Sequence, residues 1–104
     1  MARHENYMDG VRAQLVADPE LNAAFQKELA RLQLARQIAA ARKRAGLSQA
    51  ELAERIGTKQ AGVARMERAS TVGFTTTTLA KIAAATGSQL TVQLMPRPRR
   101  QKVA

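Results

Sequence analysis

The stretch 46–68, GLSQAELAERIGTKQAGVARMER, constrains the fold of this chain more than any other, because it encodes two short helices joined by a tight turn. Ser48 and Glu51 have the spacing of a capping box, in which a hydroxyl and a carboxylate satisfy free backbone N–H groups at a helix start. Gly57 can adopt the positive φ that the turn after this helix requires. We expect Thr58 to cap the second helix.

The second of these helices carries side chains of the kind that bind base edges in DNA. Gln60 can form two hydrogen bonds with adenine, and Lys59 or Arg65 can engage guanine. Ala61 and Gly62 are small enough for close approach, and the methyl group of Ala61 can touch a thymine methyl. The pattern predicts a helix-turn-helix whose second helix lies in the major groove.

Other residues around this motif suit phosphate oxygens, which bind to helix N-termini and to polar or basic side chains. Ser48 and Gln49 open one helix, and the cap leaves the Gln49 side chain free. The run Arg42-Lys43-Arg44 before the motif fits a phosphate contact or a solvated helix face equally well. The predicted phosphate contacts are Ser48, Gln49, Arg42, Arg44, Arg68, Thr75 and Thr76.

Charge supports a polyanionic partner. The net charge is +9, from 17 Lys and Arg against 8 Asp and Glu, and residues 31–68 contain nine of the basic residues and three of the acidic ones. Nucleic acid is the commonest partner of such a domain, although an anionic membrane surface or an acidic protein would also fit the charge alone.

The sequence lacks the residues that several classes of protein need. The chain has no cysteine and a single isolated histidine, His4, so we expect no metal or other cofactor. We find no nucleophile–base pair and no glycine-rich phosphate loop, and therefore expect no enzymatic activity. Without a transmembrane run or a signal peptide, the protein is expected in the cytoplasm, at the nucleoid when DNA-bound.

A long helix is predicted before the motif. Asp18-Pro19 is a typical start, with a capping side chain followed by proline at the first helical position. Apolar residues then recur at steps of three and four. No glycine or proline follows until Gly46, so one helix of roughly 40 Å is possible, but we expect a break or bend near Gln33.

Beyond the motif, threonines 75–78 start a further helix that Gly87 ends. Residues 89–94 then alternate polar and apolar, which predicts a half-buried strand with Leu90, Val92 and Leu94 on one face. A lone strand is unstable, so it must pair with a sister strand across a two-fold axis or with the sheet edge of another protein. The tail is basic, and we interpret it as either a DNA-binding arm or a solubilising end.

The expected organisation has four parts. They are an N-terminal arm and helix over 1–35, the helix-turn-helix domain over 36–87, a pairing strand over 88–96 and a disordered basic tail over 97–104. The predicted fold class is mainly α, a five-helix domain with an N-terminal helical extension and one short C-terminal strand.

Residues 38–87 resemble the Cro/phage-repressor type of helix-turn-helix, the XRE family, through GLSQAELAERIG, TKQ…V.RMER and T.TLAKIAAATG. The resemblance implies a lambda-repressor-like fold and a phosphate contact from Gln49. It also implies base contacts from Thr58, Lys59, Gln60, Ala61 and Arg65. Gly62 departs from the family pattern, which often has serine or another polar residue there.

The Asp18 helix and the short strand resemble the flanks of HigA-type antitoxins. That resemblance implies a homodimer that binds a palindromic double-stranded operator, represses its own operon and neutralises a RelE/HigB-like ribonuclease toxin. Leu21, Phe25 and Leu29 are the candidate toxin contacts. Two alternatives stay open: a stand-alone regulator of phage or host genes, and a protein-interaction module that reuses the fold.

Overall fold

The computed structural model describes residues 10–14, 16–70 and 74–96. It contains four helices with full bounds: α1 Pro19–Arg44, α2 Gln49–Ile56, α3 Gln60–Glu67 and α4 Thr76–Thr86. Residues 10–14 and 16–17 are also helical. The predicted class, mainly α with a helix-turn-helix, is confirmed. His4 and the basic tail over 97–104 lie outside the described residues.

Helix α1 begins where the sequence predicts and runs further than expected. The Asp18 Oδ1 accepts hydrogen bonds from the N–H groups of Glu20 and Leu21, both at 3.1 Å. The helix then continues unbroken for 26 residues, about 39 Å at 1.5 Å per residue. The break expected near Gln33 is wrong, because residues 32–36 are all good helix formers. The extension and the first helix of the domain are therefore one element, and the predicted boundary between residues 35 and 36 falls within it.

The core lies where the four helices meet. Helix α2 packs against α3 and α4, and α1 packs against the same two helices. Leu52 of α2 and Val63 of α3 are fully buried. The core residues are Ile38, Leu47, Leu52, Ala53, Ile56, Val63 and Ile82. Each buried residue of α1 lies at Ala35 or beyond, so the N-terminal half of α1 stands outside the core.

That N-terminal half carries an apolar stripe, which we define as Leu21, Phe25, Leu29 and Leu32. Their exposed fractions lie between 36% and 45%. At 100° per residue the stripe is about 80° wide and lies about 135° around the helix from the buried residues Ala35, Ile38 and Ala41. The stripe is therefore not a continuation of the core face.

The C-terminal segment, which we define as residues 88–96, follows Gly87 without regular secondary structure. Leu90, Val92, Leu94 and Met95 are exposed. The strand predicted over 89–94 is thus absent from the single chain. A strand requires a ladder partner, and the described residues contain no other strand to supply one.

Among the helices of the described residues, none combines the length and the apolar character that a membrane span requires.

Candidate nucleic-acid interface

Helix α2 and the turn after it are fixed by local hydrogen bonds. The Glu51 N–H donates to Ser48 Oγ at 3.0 Å, and the Ser48 N–H donates to Glu51 Oε1 at 2.7 Å. This confirms the capping box. The backbone hydrogen bond from Ser48 is the main reason that the pKa of Glu51 lies below its usual value, with the Ser48 hydroxyl second. Gly57 ends α2 at φ +75°, which confirms the predicted turn.

Helix α3 begins one residue later than predicted. Lys59, not Thr58, is its N-cap residue, and no side-chain hydrogen bond caps the helix. The Thr58 hydroxyl lies against Gly62 instead, since a Cβ added at Gly62 would sit 3.0 Å from Thr58 Oγ1. The prediction that Thr58 caps α3 is therefore wrong.

The five predicted base-reading residues share one exposed surface at the start and along α3. All of them have exposed side chains: Thr58, Lys59, Gln60, Ala61 and Arg65. The uncapped helix N-terminus also presents backbone N–H groups toward this surface, where an anion would be favoured. The structure thus leaves all five predicted readers exposed, on α3 or directly before it.

Gln49 connects this surface to the start of α2. The Gln60 Nε2 donates to Gln49 Oε1 at 2.8 Å, and the Gln49 Nε2 donates to Glu67 Oε1 at 3.1 Å. The expectation that the Gln49 side chain is free is wrong, because both ends of its amide are bonded. A predicted phosphate contact and a predicted base reader are therefore in direct contact.

Glu67 in turn is held by Arg42. The Arg42 Nε and Nη2 donate to the two Glu67 carboxylate oxygens at 2.6 and 3.0 Å, and Nη1 donates to the Leu47 carbonyl at 2.8 Å. The two side chains are 12% and 8% exposed. All three guanidinium nitrogens of Arg42 thus bind the protein itself. This geometry gives Arg42 a structural role, and its phosphate contact remains a prediction.

The ion pair shifts both pKa values. Burial alone would raise the pKa of Glu67, but the hydrogen bonds from Arg42 and Gln49 and the charges of Arg42 and Lys43 outweigh it, so the pKa is lowered. The hydrogen bond to Glu67 is the main reason that the pKa of Arg42 is raised. Sequence reasoning missed Glu67, although one signal was present: it is the only acidic residue after Glu54.

The remaining predicted phosphate contacts lie around α3 and α4. Thr75 caps α4, and its Oγ1 accepts from the Thr78 N–H at 3.1 Å. Thr76 and Arg68 are exposed, the latter directly after α3. The Arg44 Nη2 donates to Ser88 Oγ at 3.3 Å. Ser88 follows the C-terminal end of α4, and Thr76 is the first residue of that helix. These two predicted phosphate contacts, Arg44 and Thr76, are therefore separated by about 15 Å along α4.

A strained residue lies just beyond the end of helix α3. Ala69 has φ +59°, the only positive φ of a described residue other than glycine. The Ser70 N–H donates to the Arg65 carbonyl at 3.0 Å and the Ala69 N–H to the Met66 carbonyl at 3.2 Å. This is a Schellman motif, in which glycine is the usual residue at the left-handed position.

The α2–turn–α3 unit, with its exposed polar side chains along α3, defines a DNA-binding transcription regulator. The helix-turn-helix family model matches residues 38–93, more than half of the chain. The chain belongs to this family of XRE-type helix-turn-helix proteins, which are DNA-binding regulators and generally not enzymes. Searches of curated proteins and of solved structures gave no significant match.

Proposed function

We propose that this regulator is a sequence-specific repressor that reads its operator with α3. The observation that carries the proposal is the Gln49–Gln60 hydrogen bond of 2.8 Å. It joins a side chain at a helix N-terminus, where a phosphate is favoured, to a side chain suited to adenine. The exposed Lys59 and Arg65 add positive charge to the same surface. The negatively charged phosphates of DNA attract this positive charge.

Selection from a random double-stranded DNA library tests this role. We expect the full-length protein to enrich one motif, and Gln60→Ala and Arg65→Ala each to lose about 1–3 kcal/mol and to relax preference at one position. Arg68→Ala, a predicted phosphate contact, should weaken binding to all sequences and reduce the salt slope by about 1. Lys27→Ala on the N-terminal half of α1 is the charge-matched control. Enrichment of no motif would overturn the proposal and favour a protein-interaction module.

The repressor acts as a homodimer whose C-terminal segments pair across a two-fold axis. Leu90, Val92 and Leu94 are exposed in the single chain, and residues 82–96 contain no charged side chain although the chain carries a net charge of +9. Charged residues normally protect a free strand edge from pairing, and their absence here avoids repulsion between two copies. The dimer would place two α3 helices about 34 Å apart, on the half-sites of a palindrome.

Analytical ultracentrifugation of the full chain tests the dimer. Val92→Lys adds a charge to the face that carries Leu90 and Leu94, and should produce a monomer that binds half-sites without cooperativity. Gln93→Lys adds the same charge to the opposite face and is the matched control. An unchanged dimer in Val92→Lys would contradict pairing through this segment.

The finer proposal is that the protein is an antitoxin. It would neutralise a RelE/HigB-like ribonuclease toxin and repress the operon that encodes both, in the cytoplasm and at the nucleoid. The apolar stripe supports this role, because Leu21, Phe25 and Leu29 are exposed on a helical face turned away from the core, and exposed apolar patches mark interaction sites.

Co-expression with the neighbouring small reading frame tests the antitoxin role. We expect that frame to be toxic alone and harmless with this protein, and Phe25→Glu to lose neutralisation while it still binds the operator. Gln26→Glu, on another face of the same helix, is the control. A neighbouring frame that is harmless alone and forms no complex would instead indicate a stand-alone regulator.

A further inference from the structure

The two glutamine amides at the interface have a fixed direction. Glu67 is ionised and paired with Arg42, and an ionised carboxylate can only accept hydrogen bonds. Gln49 must therefore turn its NH₂ group toward Glu67, at 3.1 Å, and its oxygen toward Gln60. The NH₂ group of Gln60 donates to that oxygen at 2.8 Å. One N–H and the oxygen of Gln60 remain for a ligand.

This direction matches one purine better than the other. In the major groove adenine presents the N6 amino donor beside the N7 acceptor, whereas guanine presents two acceptors, O6 and N7. The outward oxygen and remaining N–H of Gln60 complement adenine. A reversed Gln60 amide would turn its NH₂ group outward, and two donors complement guanine.

We propose that the Arg42–Glu67 ion pair sets the direction of both amides and thereby makes Gln60 select adenine over guanine. The inference rests on the proposed base-reading role of Gln60. Arg42 and Glu67 are then positioning residues, which act on base selection through Gln49 and Gln60 and do not contact the base.

The energetic basis is the cost of reversing the chain of hydrogen bonds. Reversal would bring the Gln49 oxygen against the Glu67 carboxylate, so that two acceptors would face each other in a partly buried site, and a buried acceptor without a donor is costly. The lowered pKa of Glu67 keeps the carboxylate ionised at neutral pH. A glutamine without such an anchor can turn its amide over by rotation about its last side-chain bond.

Two variants interrupt the chain at different points. Glu67→Gln keeps the size of the side chain but can donate as well as accept, so the direction is no longer fixed. Gln49→Leu leaves the Arg42–Glu67 pair intact and separates it from Gln60. Glu51→Gln is the matched control, because it neutralises a carboxylate in the same helix-turn-helix and glutamine also fits a capping box.

The measurement is the ratio of affinities for two operators that differ by adenine or guanine at the position whose preference Gln60→Ala removes. We expect the unaltered protein and Glu51→Gln to prefer adenine by about 5- to 150-fold. Glu67→Gln and Gln49→Leu should reduce the ratio to about threefold or less, with preferences at other positions retained. If Glu67→Gln does not fold, as circular dichroism would show, Gln49→Leu decides alone.

A retained adenine preference in Gln49→Leu would overturn the inference, even if overall affinity falls, because lower affinity with unchanged selectivity is the result of a merely structural role. A wild-type preference for a base other than adenine at that position would overturn it as well. A Gln60→Ala variant that changes no base preference would be a different failure, since the proposed reading role would then fall first.

Discussion

Arg42 and Glu67 are 25 residues apart in the sequence and form a two-point ion pair that joins the end of α1 to the end of α3. Arg42 also donates to the Leu47 carbonyl in the loop before α2. One guanidinium thus connects three parts of the helix-turn-helix. The orientation of α3 against the rest of the domain depends on this pair as well as on apolar packing.

Removal of one partner should destabilise the protein strongly. Glu67→Ala leaves the partly buried Arg42 charge unpaired, and we expect the free energy of unfolding to fall by about 3 kcal/mol, the lower end of the range for buried pairs because both side chains keep some exposure. Urea unfolding at pH 7 measures this. Glu28→Ala, which breaks the 3.6 Å pair between Arg31 and the 60% exposed Glu28 side chain, should cost about 0.5 kcal/mol or less. Equal losses in the two variants would contradict the structural role of Arg42.

Stability should fall in acid through Glu67. Its pKa is lower in the folded state than the unfolded value of about 4.3. The stabilisation is therefore complete above about pH 4.3 and lost as the pH falls through the folded pKa. Urea unfolding between pH 2 and 7 should show a flatter acid limb for Glu67→Gln than for the wild type. Glu51→Gln removes the capping-box carboxylate, whose pKa is also lowered. In that background the free energy of unfolding should still fall in acid because of Glu67.

Ala69→Gly should stabilise the protein, by about 0.5–1 kcal/mol. The left-handed conformation at φ +59° costs alanine about 1–2 kcal/mol and glycine almost nothing, and the greater freedom of glycine in the unfolded chain offsets part of the gain. Ala80→Gly, in the exposed middle of α4, should instead lose about 1 kcal/mol. Opposite signs for the same substitution would verify the strain, and a loss at both positions would refute it.

Gly62→Ala should reveal the contact with Thr58. Alanine gains about 1 kcal/mol over glycine within a helix, but its Cβ would meet Thr58 Oγ1 at 3.0 Å. We therefore expect a smaller gain in the wild type than in a Thr58→Ala background, with a coupling of about 0.5 kcal/mol or more in a double-mutant cycle. Additive effects would mean that Thr58 moves aside without cost.

The two halves of α1 should respond differently to truncation. Ile38 is 3% exposed in the core, and Ile38→Ala should cost about 2–5 kcal/mol. Leu29→Ala in the apolar stripe should change the free energy of unfolding by about 1 kcal/mol or less, since Leu29 lies outside the core. A cost at Leu29 close to that at Ile38 would show that the stripe is already covered within the folded chain.

Local patterns allowed much of the fold to be predicted. The Asp18 cap, the Ser48–Glu51 box and the Gly57 turn each depend on atoms within a few residues, so the sequence contains all the partners. The N-cap of α3 at Lys59 was missed because the Thr58 side chain packs one helical turn ahead, against Gly62. The expected break in α1 had no glycine or proline to cause it.

The candidate site was less accessible to sequence reasoning. Lys59, Gln60 and Arg65 could be proposed as readers from residue type and helical position alone. The bonds from Gln49 to Gln60 and from Arg42 to Glu67 span 11 and 25 residues, and they exist because of the way α1, α2 and α3 pack. From the sequence alone, Arg42 was therefore predicted to contact phosphate, and no role was predicted for Glu67.

The continuity of α1 sets the direction in which the stripe faces relative to α3. One unbroken helix carries both the stripe and Ile38, so Phe25 is held at a fixed azimuth and axial distance from α3, and so would be a partner bound there. One residue inserted between Leu32 and Ala35 would turn the stripe by about 100°. Seven inserted residues would leave its azimuth within about 20° of the original and move it about 10 Å outward along the axis. Insertions in α1 would thus change the position of the stripe relative to α3 and leave the residues of the stripe and of α3 unchanged.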